Sequence, residues 1–269
     1  MDKRPIGIFD SGLGGLTCVK EVMKIMPGED IIYFGDTGRV PYGARSAEQI
    51  VKYVRQDINF LKTFDIKYII IACGTASSAA LPMIRGEYET EITGVLYPAA
   101  KKALESTKNG RIGVIGTQGT VRSGKYTQQL KEFDKSVEVT EVACPLFVHL
   151  VENGHTDSLP AKLVAEEYLE EIKKADVDTL ILGCTHYPLL KNIIAEILGD
   201  KVTLIDSGAA AADFAKAEME KMGLLADKKT DGTVKYFVSD ITESFTRLGG
   251  LFLNKEITQK VERIDIEKY

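Results

Sequence analysis

The sequence has no run of about 18 apolar residues, so no membrane-spanning helix is expected. Its four cysteines, Cys18, Cys73, Cys144 and Cys184, include no Cys-x-x-C pair, and its histidines number three. Widely spaced cysteines in a chain of 269 residues do not form the framework of a small secreted disulfide scaffold, so free thiols are expected. Cys184-x-His186 is too tight for the usual zinc spacing, and His149 and His155 supply no better set, so no metal is expected. No Gly-Lys-Ser/Thr follows any glycine-rich turn, which excludes a P-loop. A Cys-x5-Arg phosphatase is excluded too, because Ala79 and Leu190 stand where the arginine belongs. No excess of positive charge exists: the net charge is −5 and the pI about 5.4. That argues against nucleic-acid and anionic-membrane partners, both of which need a basic face. The opening MDKRPIGIFDSG carries an apolar stretch too short for a signal peptide, so a cytoplasmic location is expected.

Hydrophobic residues make up 44 % and charged residues 27 % of the chain, ample for one or two cores. Short apolar, β-branched runs recur at 6–9, 31–34, 68–73, 94–96, 111–116, 137–143, 179–184, 202–206 and 235–239. Several lack polar alternation, which suits parallel strands buried on both faces. Amphipathic stretches lie between them. In 46–64, Ser46 stands as N-cap and Ile50, Val54, Ile58 and Leu61 share one stripe; 159–175 is a second such stretch. The βαβα rhythm predicts mainly parallel α/β architecture. An internal echo accompanies it. IIIACGTASSAA and LILGCTHYPLL each run from apolar strand to Cys to Thr, and Asp10-Ser11-Gly12 has a counterpart in Asp206-Ser207-Gly208. Coincidence is one reading. The other is two similar α/β lobes, each presenting a cysteine at the carboxyl edge of its sheet, where ligands of open sheets bind.

Cys73 ends an apolar run, and Thr75, Ser77 and Ser78 open a helix behind it. The N–H groups of a helix N-terminus favour a thiolate and also hold carboxylates. Cys184 ends another such run, with Thr185, His186 and Pro188 following, and His186 is placed to tune the thiol or relay a proton. The plainer reading makes both core cysteines. Cys18, inside a helical pattern, and Cys144, before Pro145, fit that plainer reading better. FDSGLGG (9–15) invites a dinucleotide reading, yet its G-x-G-x-x-G spacing is broken by Thr17. The remaining reading sets Asp10 and Ser11 at a strand end, facing a small ligand. The loop GDTGRVPYG (35–43) is a plausible pocket wall, and Thr117, Thr120, Ser123 and Tyr126 are either helix caps or carboxylate donors.

Together, IGIFDSGLGG, YFGDTGRVPYG, ACxTASS, GVIGTxGTVxSxxY and LGCTHYPLL resemble the bacterial glutamate racemases over roughly residues 5–210. The resemblance implies two α/β lobes with the active site between them, residues 1–97 plus 208–269 forming the first and 98–207 the second. It implies interconversion of L- and D-glutamate without a cofactor, supplying D-glutamate for peptidoglycan. Glutamate is then the small-molecule partner, and a homodimer is allowed, although no stripe in the sequence marks an interface. Cys73 takes the proton of D-glutamate and Cys184 that of L-glutamate; Asp10 assists Cys73, and His186 and Glu152 assist Cys184. Asp10, Ser11, Pro41, Tyr42, Gly43, Gly74, Thr75, Thr117, Thr120, Thr185 and His186 fall on substrate-holding positions. One position departs from the pattern: Ala-Cys-Asn-Thr is usual, and here Gly74 replaces the Asn. Weaker substrate affinity or a roomier pocket is the expectation, and Gly74→Asn is then expected to lower KM.

Racemisation removes a proton from one face of Cα and returns one to the other. Two bases on opposite faces need no motion across the substrate, and each exchanges role with direction. A free thiol of pKa near 8.5 is only about 3 % thiolate at pH 7. The site must therefore supply preorganised donors and exclude water. Two rivals stand beside this reading: a racemase for another amino acid such as aspartate, and a binding protein on the same scaffold that would exchange no Cα proton in D2O.

Overall fold

The computed structural model describes residues 2–227, 230–240 and 245–269. Two parallel sheets organise them. β1 (Ile6–Asp10), β2 (Ile31–Gly35), β3 (Tyr68–Ile71) and β4 (Glu91–Gly94) belong to the first sheet. β5 (Arg111–Gly116), β6 (Glu138–Ala143), β7 (Thr179–Leu182) and β8 (Thr203–Asp206) form the second. The chain then returns to the first sheet with β9 (Val234–Val238) and β10 (Val261–Arg263). The orders are β10-β9-β2-β1-β3-β4 and β6-β5-β7-β8. Every pairing is parallel.

The unbroken apolar runs account for this arrangement. β1, β2, β3 and β7 are buried at every position, as strands covered by helices on both faces must be. β1 lies at the centre, with Ile8 in register with Tyr33 on one side and Ile70 on the other. The edge strands β6 and β8 are only partly buried and carry the polar residues. The helix Ala47–Lys62 starts where its pattern indicates: Ser46 Oγ accepts from Gln49 N, and Ile50, Val54, Ile58 and Leu61 are buried.

Two elements differ from the sequence reading. The run at 94–96 is not a strand. β4 closes at Gly94, the Ser77 hydroxyl takes the Val95 N–H, and Leu96 already opens the helix Leu96–Ser106 with Pro98 in its first turn. β10, unmarked in the sequence, is three residues long, two of them exposed, too short to show a period. Among the described residues no helix is long and apolar enough to cross a membrane.

Candidate active site

In a parallel α/β sheet the residues just past the carboxyl ends of the strands are free of the ladder and available for chemistry. The two sheets direct these ends at each other. β1 runs out into Ser11 and Gly12, β2 leads to the loop that carries 40–44, and β3 leads to Cys73. From the other sheet β5 leads to Thr117, β6 to Pro145 and the helix Leu146–Glu152, and β7 to Cys184, Thr185 and His186. Between them lies a cavity of about 330 Å³, in the range of small-molecule pockets, and both Cys73 and Cys184 line it. Cys18 and Cys144 are buried elsewhere, Cys18 in the helix Leu16–Ile25 and Cys144 at the end of β6, as the plainer reading of those two requires.

Cys73 caps the helix Gly74–Ala79, its sulfur accepting from Ala76 N at 3.5 Å and facing Ser11 Oγ at 3.5 Å. The helix N-terminus alone does not set its charge. Burial and the neighbouring Asp10 push the thiol up to about 12, outweighing the lowering by the Ser11 hydroxyl and the Ala76 N–H. Asp10 stands behind the cavity rather than on it. Its Oδ2 accepts from Gly12 N and Gly15 N, its Oδ1 has no partner among the described residues, and burial raises its carboxyl above the usual range.

The Cys184 side is built differently. Cys184 is not at an α-helix N-terminus: after β7 the chain turns through Thr185 and His186 into the short 3-10 segment Tyr187–Leu190, with Pro188 in its first turn. His186 Nδ1 lies 3.9 Å from Cys184 Sγ, and Nε2 lies 3.0 Å from Glu152 Oε1. Burial would lower this histidine, but Cys184 and Glu152 together raise it to about 10. A thiolate at Cys184 and an imidazolium at His186 therefore favour each other. Burial would raise Glu152 in turn, and the hydrogen bond from His186 holds it below its ordinary value.

The hydroxyls meet across the two sheets. Thr75 Oγ1 lies 3.1 Å from Thr117 Oγ1 and 3.5 Å from Thr120 Oγ1, while Thr117 and Thr120 are 3.1 Å apart. Thr75 and Thr117 line the cavity; Thr120 is fully buried behind them. Thr117 also caps the helix Gln118–Ser123, so the cap and donor readings are not exclusive. Ser123 bonds the Thr120 carbonyl and Tyr126 is buried; neither lines the cavity. Ser11, Pro41, Gly43, Gly74 and Thr185 all line it. So does Tyr42, yet its hydroxyl points away, to Asp36 and Asp57.

Gly74 leaves no hole. A Cβ there would fall on the carbonyl oxygen of Gly183, so the space of the missing side chain is already taken by the opposite lobe. Val148 and His149 also line the cavity and were not singled out in the sequence. The signal was available: both lie one helical turn before Glu152, on its face of the helix.

Two α/β lobes that each bring a cysteine to one cleft define the two-base amino-acid racemase class. The Asp/Glu/Hydantoin racemase family matches residues 17–215, and the chain belongs to that family. The glutamate racemase of Geobacter metallireducens is 46 % identical over 257 residues, covering 96 % of this chain and 95 % of that protein. The crystal structure of a glutamate racemase isoform from Bacillus anthracis superposes with TM-score 0.94 at 37 % identity, covering 98 % of each chain. That of a Francisella tularensis glutamate racemase in complex with D-glutamate gives TM-score 0.93 at 37 % identity over all of both chains.

Proposed function

We propose that this chain interconverts L- and D-glutamate by exchanging the Cα proton between Cys184 and Cys73 without a cofactor, supplying D-glutamate for peptidoglycan. The observation that carries this is the single cavity lined by both thiols. In the L-to-D direction the Cys184 thiolate takes the proton from one face of Cα, and the Cys73 thiol gives its own to the other. Cys184 ends as thiol and Cys73 as thiolate, ready for the reverse reaction. Cys73 enters as the acid because, at about 12, it holds its proton at neutral pH. Negative charge at Cys184 faces the His186 imidazolium, which Glu152 holds in place. The Thr75 and Thr117 hydroxyls, with the N–H groups around them, are assigned to the substrate carboxylate.

We assign residues 1–97 with 208–269 to one lobe and 98–207 to the other, supported by the membership of the two sheets. A cytoplasmic setting is supported by four unpaired cysteines, which a reducing compartment preserves. The homodimer allowed by the resemblance is read by sedimentation of the purified chain.

Circular dichroism of D-glutamate over time, with no added cofactor and with aspartate in parallel, tests the activity. Cys73→Ser and Cys184→Ser are each expected to abolish racemisation in both directions. Each keeps one base, however, so each still eliminates the leaving group from one enantiomer of a β-chloro or N-hydroxy analogue. Cys184→Ser retains the D analogue and Cys73→Ser the L analogue. Loss of both eliminations in either variant contradicts one base per face.

A further inference from the structure

The cleft wall at residues 41–43 rests on a buried polar cluster that the proton exchange does not use. Asp36 and Asp57 are both fully buried, Tyr42 is 1 % exposed, and Arg39 joins them. Arg39 Nε donates to Asp36 Oδ2 at 2.6 Å, and Nη2 to Asp57 Oδ1 at 3.0 Å. The Tyr42 hydroxyl lies 2.5 Å from Asp36 Oδ2 and 2.9 Å from Asp57 Oδ2.

The count of protons and the buried charge bear on the state of this cluster. A phenol has one hydrogen, and here it meets two carboxyl oxygens at hydrogen-bond distance. Either the two oxygens share that hydrogen, or one contact is made by a proton of a carboxyl, which gives each its own donor. Asp36 Oδ2 already accepts from the Arg39 Nε–H, so a proton on that oxygen would oppose the guanidinium. Among the described residues, Tyr42 is the partner recorded for Asp57 Oδ2. With a proton on Asp57, Tyr42 donates to Asp36 and accepts from Asp57, while Asp36 Oδ1 stays buried without a partner among the described residues. The charge balance agrees: one guanidinium stands against two buried carboxyls, and two ionised groups would leave a net buried negative charge.

We propose that Asp57 is a neutral carboxylic acid in the folded protein, donating from Oδ2 to Tyr42 Oη, and is thereby a positioning residue for the wall of the cleft at residues 41–43. The link to catalysis rests on the assignment of that wall to the substrate; the protonation state does not. Burial first, and then the Asp36 charge, push the Asp57 carboxyl well above its usual range. The other ionisable groups around the cluster do not reverse this. Glu267 of the C-terminal 3-10 segment touches Arg39 at 3.3 Å and competes for its charge. Tyr53, on the Asp57 helix, lies under the guanidinium at 4.1 Å, and Asp10 of β1 adds a further repulsive charge.

Asparagine copies the pattern of a neutral Asp57, with its amide N–H toward Tyr42 and its oxygen toward Arg39. Unfolding of wild type and Asp57→Asn is compared from about pH 5 to about pH 9. A carboxyl raised in the fold loses its stabilising contribution as pH climbs above the unfolded value near 3.9, so the wild-type folding constant falls relative to Asp57→Asn by up to about tenfold per pH unit until the folded group ionises. A flat or rising ratio, or an Asp57→Asn chain that does not fold, overturns the proposal. The infrared difference between the two at neutral pH should show the carbonyl stretch of a protonated carboxyl, and its absence also overturns it. Asp57→Ala should raise KM about tenfold or more by orphaning buried partners, and Asp57→Asn should recover most of that. Equal KM in the two variants removes the positioning role. The unfolding and infrared measurements need no substrate, so they stand whether or not the chain turns over glutamate.

Discussion

Asp10 lies behind Cys73 and His186 beside Cys184, a buried carboxyl on one side of the cleft and an imidazole on the other. A positive charge on His186 accompanies a thiolate at Cys184. Because racemisation has an equilibrium constant of one, kcat/KM for the two enantiomers stays equal in every active variant. Racemisation alone therefore cannot tell the two faces apart, whereas elimination from an analogue uses one base at a time. His186→Asn should slow elimination from the L analogue and spare the D analogue; Asp10→Asn should do the reverse. One-sided losses of about ten- to ten-thousandfold are expected for groups that assist proton transfer. Equal loss on both faces would mean that these residues only hold the cleft together. His186 also marks stability. Its folded value of about 10 lies above the unfolded 6.5, so its contribution is full below about pH 6.5 and is lost as pH rises through 10. The alkaline fall in unfolding midpoint should be shallower in His186→Asn.

At the scale of elements, the repeated Asp-Ser-Gly separates capping from chemistry. Asp206 Oδ1 accepts from Gly208 N and Ala209 N at the start of the helix Ser207–Lys221, much as Asp10 accepts from Gly12 and Gly15. Only Asp10 stands behind a thiol that lines the cleft. Asp206→Ala should destabilise the fold by about 1–2 kcal/mol, the usual worth of an N-cap, and leave kcat unchanged. A matching fall in kcat would place Asp206 in the reaction. The strands that carry the site were legible in sequence because they are largely buried on both faces: β1, β3, β5 and β7 each hold an apolar run that leads into small or reactive residues. The partly buried β6 and β8 were legible too, within the runs at 137–143 and 202–206, whereas the run at 94–96 misled. Val95 and Leu96 are as apolar as any strand residue, yet the Val95 N–H bonds the Ser77 hydroxyl and Leu96 opens the next helix. The outward turn of the Tyr42 hydroxyl was hidden for the same reason. Its partner Asp57 lies on the helix Ala47–Lys62 beside the buried apolar stripe, and sequence periodicity cannot say which partners will bury a carboxyl there.

At the scale of the whole molecule, the cleft is only as narrow as the seam between the lobes allows. Thr17 Oγ1 reaches across to the Thr185 carbonyl, and Thr75 to Thr117 and Thr120. Gly14 and Gly74 let the lobes come this close. A Cβ on Gly14 would meet His186 Nδ1 at 2.6 Å, and one on Gly74 would strike the Gly183 carbonyl, which is backbone and has no rotamer to yield. The two views of position 74 now predict opposite signs. If Gly74 merely lacks the contact that Asn makes in relatives, Gly74→Asn lowers KM. If Gly74 sets the closure, any side chain there drives Gly183 outward and carries the adjoining Cys184 with it. A misplacement of about 1 Å at a reacting group can cost on the order of a hundredfold in rate. Gly74→Ala is the cleaner test, since it adds volume and no hydrogen-bonding group. It should lower kcat/KM for both enantiomers equally, by tenfold or more on that scale, and Gly74→Asn should do no better. Because the added methyl meets backbone in a seam with no free space, the unfolding midpoint should fall as well. An Asn variant with a lower KM and an undiminished kcat would show that the lobes have slack at this point and that the seam does not govern how the thiols meet the substrate.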